Sequence, residues 1–165
     1  MKTARFFIIM IFSFVIFSVS YGQTSYNFTD GINSARSLNK KIVVEIFSES
    51  NSWSRKMESE VYSSAKVQTA LSDFVFIKLN AESGAKQVYN KKDYSSSELA
   101  KLFGATGYPT FVFLNPDGSI IKFKYNTEEV SNISGFIGEQ DFIEMMDFFL
   151  KDKYKDTDLS TVFQN

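Results

Sequence analysis

Cysteine and histidine are both absent from the 165 residues, and each absence removes a class of chemistry. Without thiols there is no dithiol redox site and no thiolate nucleophile. Without imidazole there is no Ser-His or Cys-His pair and no histidine general base. A tetrahedral zinc site built on His or Cys is excluded as well. Catalysis is left with carboxylates, hydroxyls, Lys and Tyr, or with a carboxylate-rich site of the calcium or magnesium kind, and no segment shows metal-ligand spacing. An excess of charge is lacking too: 18 basic and 19 acidic side chains give a net −1. With no Lys/Arg run either, there is no footprint for nucleic acid. The length fits one domain, and apolar side chains make up 44% of it.

The first segment reads as an address. Lys2 and Arg5 form a positive lead, Phe6 to Val19 is an apolar run interrupted only by Ser13 and Ser18, and Ser20-Tyr21-Gly22 puts small residues where a signal peptidase reads them. The expectation is a signal peptide over 1–22 with cleavage before Gln23. A membrane anchor is the rival, but a spanning helix wants about 20 apolar residues, and with no Cys after the run a lipoprotein anchor is excluded. The remaining 143 residues carry 16 basic and 19 acidic side chains, a net −3. They are large enough to bury a core without disulfides. The expected location is exported, periplasmic first, with a secreted or envelope-associated fate as the alternatives.

Along the mature chain, 23–30 is polar and turn-like, and Asp30 is a plausible cap for a short helix bearing Ile32, Ala35 and Leu38. Ile42 to Phe47 is β-branched and apolar on both faces apart from Glu45, the pattern of a central parallel strand. After a Ser/Asn-rich loop, Trp53, Met57 and Val61 fall at helical spacing over 53–62, and Ser63-Ser64 leads a second helix with Val67, Ala70 and Leu71. Phe74 to Leu79 is a second buried strand. Residues 81–94 read as an exposed hairpin or irregular insertion. Ser95 to Glu98 is a capping-box pattern before Leu99, Leu102 and Phe103, closed by Gly104. Thr110 to Leu114 is a third strand, Asn115-Pro116-Asp117-Gly118 a turn, and Ile120 to Tyr125 the expected antiparallel fourth. A last helix from Glu139 carries Phe142, Met145, Met146, Phe149 and Leu150, and 154–165 is expected to form a tail. Strands that alternate with helices and end in a hairpin predict an α/β fold, a mixed sheet flanked by helices on both faces.

These residues resemble the thioredoxin family, in particular exported thioredoxin-like proteins of the SoxW type. The strand with its single acid, Glu45, resembles the family's strand whose buried carboxylate precedes the first active-site Cys by six residues. Lys78-Leu79-Asn80 resembles the next strand, where a Lys faces that carboxylate. Gly107-Tyr108-Pro109-Thr110-Phe111 looks like the cis-proline signature, 115–118 like the usual hairpin turn, and Ser134-Gly135-Phe136-Ile137 also fits. The resemblance covers about 30–155, so a thioredoxin-like domain over 31–153 with an insertion at 81–94 is expected.

The departure lies at the centre of the family's chemistry. Where the family has Cys-x-x-Cys, this chain has Asn51-Ser52-Trp53-Ser54. Thiol-disulfide exchange needs a thiolate and a sulfur leaving group, which neither an amide nor a hydroxyl replaces, and Ser54 has no His to activate it. The resemblance still implies a groove for an extended peptide, with Thr106, Gly107, Tyr108, Pro109 and Thr110 supplying backbone partners and Trp53 an aromatic platform; a packed helix position is the plainer reading of Trp53. Glu45 and Lys78 are expected to form a structural buried pair. Asn27-Phe28-Thr29 and Asn132-Ile133-Ser134 match glycosylation acceptors by accident of composition, and Glu128-Glu129 reads as a solvated loop.

The expected function is therefore a redox-inactive domain that binds protein or peptide, as a chaperone-like holder or an accessory subunit of an envelope complex. No cofactor, metal or nucleic acid is expected, and any membrane contact comes through such a complex. The rivals are a structural subunit that docks through the insertion or the Phe-rich last helix, and a non-redox enzyme using Tyr108, Glu45 or surface carboxylates, for which no matched acid-base pair is present.

Overall fold

The computed structural model of the chain describes residues 24–163, so the expected signal peptide lies outside the described residues. Helix α1, Phe28–Leu38, starts where the Asn27 side chain accepts the Asp30 N–H at 3.0 Å. The cap is thus Asn27, three residues before the expected Asp30. Asp30 sits instead in the first turn, where a carboxylate complements the helix dipole. Nor is 23–30 simply polar and turn-like. Phe28 is fully buried, and Tyr26 bridges in parallel to Ile77, its N–H bonded to the Phe76 carbonyl at 2.9 Å.

Strand β1, Ile42–Phe47, is central. It pairs in parallel with β2, Val75–Asn80, and antiparallel with β5, Thr110–Leu114. The sheet order is β2-β1-β5-β8, where β8 is the two-residue edge strand Ile133–Ser134. Burial on both faces explains the nearly unbroken apolar run of β1. On one face Val44, Ile46 and Ile77 pack with Ile32 of α1 and Leu99 of α4, Ser96–Leu102. On the other, Val43, Phe76 and Phe113 pack with Leu71 of α3, Ala65–Leu71, and Phe149 of α5, Glu139–Leu150. This is the expected α/β architecture, a mixed central sheet with helices on both faces. Strands β3, Lys86–Tyr89, and β4, Lys92–Ser95, form a separate hairpin turning at Asn90 and Lys91, whose φ values are 49° and 63°. Ser95 and Glu98 then cap α4 reciprocally.

Several local expectations give way. Ile120 to Tyr125 is not one strand beside β5: only Ile120 bridges Leu114, and Ile121 donates to the Phe113 carbonyl. The chain then leaves the sheet, and β6, Phe123–Tyr125, folds back on β7, Glu128–Val130, around Asn126 and Thr127 at φ 51° and 71°. Glu128 and Glu129 therefore lie on a strand, with Glu129 paired to Lys122 at 2.9 Å. The expected helix over 53–62 is a short α2, Ser52–Lys56, running into a π-helical turn, Met57–Val61. Leu102 and Leu150 are half exposed rather than part of buried stripes. The C-terminal residues are packed: Leu159 is buried, and the Asp158 carboxylate accepts the N–H groups of Asn126, Thr127 and Ser160. Among the described residues no helix is long and apolar enough to cross a membrane.

Gly31 of α1 lies against β2, and an added Cβ there would collide with the Ile77 side chain and lie 3.2 Å from the Tyr26 Cβ. Valine recovers only part of the roughly 1 kcal/mol helix penalty of glycine, whereas overpacking costs about 1–3 kcal/mol. Gly31→Val is expected to lower stability by about 2 kcal/mol in urea unfolding, and an unchanged midpoint would show that α1 can shift freely on β2.

Candidate functional site

The segment that follows β1 is fixed before any partner arrives. Glu82, just past β2, accepts the hydroxyls of Ser48 at 2.8 Å and Ser50 at 2.6 Å and the Glu49 N–H at 3.1 Å. These hydroxyls, Ser50 first, hold its carboxyl below the usual range. From the other side Arg55 donates to the carbonyls of Glu49 and Ser50, both at 2.9 Å. The loop is held by side chains because it has no ladder to join.

Asn51 and Ser54 do structural work. The Asn51 side chain accepts the N–H groups of Trp53 at 2.9 Å and Ser54 at 3.1 Å and so caps α2, a contact worth about 1 kcal/mol. Ser54 is buried, and its hydroxyl accepts the Ser48 N–H at 3.4 Å. Ser52 is exposed.

Trp53 is 51% exposed although Met57 and Val61 on the following turn are buried. Its ring lies 5.8 Å from that of Phe136, and the Lys56 ammonium sits 4.5 Å from the Phe136 ring and 5.4 Å from that of Trp53. Phe136 follows Gly135, whose N–H bonds the Pro109 carbonyl at 2.8 Å. Trp53 and the 106–110 loop are thereby brought to one edge of the sheet. The Tyr108–Pro109 peptide bond is cis.

Not all of Thr106 to Thr110 is available to a partner. The Pro109 carbonyl is taken by Gly135, the Gly107 carbonyl accepts the Thr110 hydroxyl at 2.7 Å, and Thr110 pairs with Ser134 in the sheet. Among the described residues, the N–H and carbonyl of Tyr108 and of Thr106 make no hydrogen bond. The backbone offered by this loop narrows to those two residues and the Gly107 N–H, with the Tyr108 ring half-buried against the core. Phe136 and Lys56, which complete the aromatic patch, carry no periodic signal in the sequence, because they meet Trp53 only through the fold.

Below this edge lies the charged cluster. Glu45 and Lys78 are register partners on β1 and β2, with Nζ 3.7 Å from Oε2. Glu45 is fully buried and its carboxyl oxygens have no hydrogen bond of good geometry; neither does the buried Tyr62 hydroxyl. Burial pushes the Glu45 carboxyl up to about 7 against the opposing pull of Lys78 and Tyr62, and the same desolvation raises the Tyr62 phenol, with the Glu45 charge adding to it. Lys78 makes its close ion pair with Glu58 of the π turn. The simple pair expected from the sequence is a triad, in which burial of Glu45 outweighs its partner.

Between 4.5 and about 7 the folded chain keeps the Glu45 proton and the unfolded chain loses it, so stability falls as pH rises through this window and is flat above it, a change on the order of 3 kcal/mol. Urea unfolding at pH 5 and pH 8 is expected to show that loss in the wild type and only a small remainder in Glu45→Gln. An equal slope in both would assign the titration elsewhere.

A sequence profile described as thioredoxin-like domain matches residues 28–150. No curated protein sequence matches the chain. Solved structures share the architecture at low identity. A thioredoxin-fold protein from Helicobacter pylori superposes with TM-score 0.62 at 18% identity, over 75% of this chain and 80% of its own. A thioredoxin from Thermus thermophilus gives 0.52 at 20%, over 76% and 88%. A structure described as DsbH oxidoreductase gives 0.52 at 13%, over 77% and 87%. With most of its length matched by the family profile, the chain belongs to the thioredoxin-like domain family.

Proposed function

We propose that this is an exported, redox-inactive thioredoxin-like domain of the SoxW type that binds a protein or extended peptide beside the Tyr108–Pro109 loop, as a chaperone-like holder or as an accessory subunit of a cell-envelope complex. One observation carries the reading. At the edge where the family places its cysteines, Asn51 and Ser54 are occupied with capping and packing, while Trp53 stands exposed against Phe136 beside the unpaired backbone of Tyr108. Free main-chain groups next to an aromatic anchor suit strand-like recognition, in which the backbone supplies affinity and an aromatic contact supplies a hot spot. The pinned 48–51 loop reduces the ordering cost of such an encounter. Export rests on the N-terminal pattern of charge and apolar residues.

A second reading has an observation of its own. The β3–β4 hairpin leaves Val88 44% exposed beside a cleft of about 560 Å³ lined by Asn33, Arg36 and Lys91, so a partner docked there would make the domain a structural subunit.

Affinity capture from the native envelope with wild type, Trp53→Ala/Phe136→Ala and Val88→Asp separates the two. The groove reading expects the double variant to lose its partners at least about tenfold, as for removal of a hot spot, and Val88→Asp to keep them. The reverse pattern would move the interface to the hairpin. In the same series insulin reduction with dithiothreitol should stay at the buffer rate.

A further inference from the structure

The Lys78 ammonium stands between two carboxylates of unlike surroundings. It is paired closely with Glu58, which is 52% exposed, and lies 3.7 Å from Glu45, which is fully buried. Two aromatic rings flank it, Phe47 at 4.7 Å and Tyr62 at 5.7 Å from their centroids, so its short path runs between the two acids. The groups facing Glu45 can be followed element by element. The strand β2 presents Lys78, the π turn and its end present Glu58 and Tyr62, and β5 presents the apolar Phe111 as register partner. Arg55 and Glu49 line the outer side, the former already bonded to backbone carbonyls.

Three buried polar atoms in this cluster, both Glu45 oxygens and the Tyr62 hydroxyl, make no hydrogen bond of good geometry, although Tyr62 and Glu45 face each other. Such atoms are rare in folded chains and call for a physical reason. Two open clefts lie on either side of the Glu58–Lys78 pair, one of about 250 Å³ under the 48–55 loop and one of about 270 Å³ beside Tyr62 and Gln68. Glu58 and Lys78 line both, so this ion pair is their common wall.

We infer that Lys78 is a shared cation whose partner is set by the proton on Glu45, and that Glu58 is the positioning residue that competes for it. With Glu45 protonated, Lys78 stays with Glu58. When the proton leaves to solvent past the part-exposed Lys78, a buried anion remains, and it attracts the ammonium more strongly than a half-solvated one does. Lys78 moves inward and Glu58 is released to solvent. The π-helical turn that carries Glu58 continues directly from α2, so the proton on Glu45 is felt one turn from Trp53. This device needs no partner protein and stands apart from the groove reading.

The test is a carboxyl-carbon NMR titration of Glu45 in the full folded protein, with Trp53 emission followed in parallel, since Trp53 is the single tryptophan. In Glu58→Gln, Lys78 is free for Glu45, and the Glu45 midpoint should fall by about one pH unit, a tenfold loss in proton affinity. In Lys78→Met the midpoint should rise, and adding Glu58→Gln should then move it by less than about a third of a unit, because Glu58 acts through the missing ammonium. The Trp53 signal should follow each midpoint and vanish in Glu45→Gln. An equal shift from Glu58→Gln with and without Lys78, or no shift at all, overturns the proposal. Should Lys78→Met fail to fold, the Lys78 ammonium nitrogen shift in the wild type decides: it must move at the Glu45 midpoint, and a constant shift overturns the proposal equally.

Discussion

A carboxyl group fixed in the middle of the central strand constrains everything around it. Strand β1 is hydrogen-bonded on both sides and covered on both faces, so Glu45 has no route to solvent of its own. Its charge can exist only if Lys78 comes to it from the neighbouring strand, and parallel β1–β2 register makes that meeting obligatory. The π turn brings Glu58 to the same ammonium and the end of that turn brings Tyr62. The electrostatic cluster is thus a consequence of strand register and of one widened helical turn, not of surface charge.

The same strand delivers the chain to the loop that leads into α2 and Trp53. Beyond Phe47, Glu82 and Arg55 grip the loop from opposite sides, and Asn51 converts it into a helix start. An amide cap satisfies N–H groups that the helix leaves open, so Asn51 has a structural occupation, and Ser54 is closed in the interior. What faces outward is Trp53 with Phe136 and Lys56, beside the open backbone of Tyr108. Reactive sulfur is absent, but shape and free hydrogen-bonding groups remain, and this is the physical basis for reading the edge as a binding surface.

Much of this was legible in the sequence where local signals and burial agree. The β-branched run at 42–47, the Ser95–Glu98 capping box and the apolar face of α5 state their structures directly, because strands buried on both faces and capped helices leave compositional marks. The fourth strand was not legible. Ile120 to Tyr125 has a strand's composition, but the tight turn at Asn126 and Thr127 pulls its second half into a hairpin with 128–130, and Ile133–Ser134 takes the place beside β5. That competition is settled by long-range pairing, which no local window contains. At the site, the Glu45–Lys78 meeting could be read from strand pattern and resemblance, whereas Glu58, Phe136 and Glu82 could not, since each reaches the site from a different part of the chain.

The central claim is that the work of this domain has passed from sulfur to the surface at the Trp53 edge. A photo-crosslinking residue placed at the exposed Ser52, compared with one at Val88 on the hairpin, tests it in the native envelope without disturbing Trp53 itself. The account predicts discrete protein adducts from position 52 and none above background from position 88. Adducts confined to position 88 would contradict it.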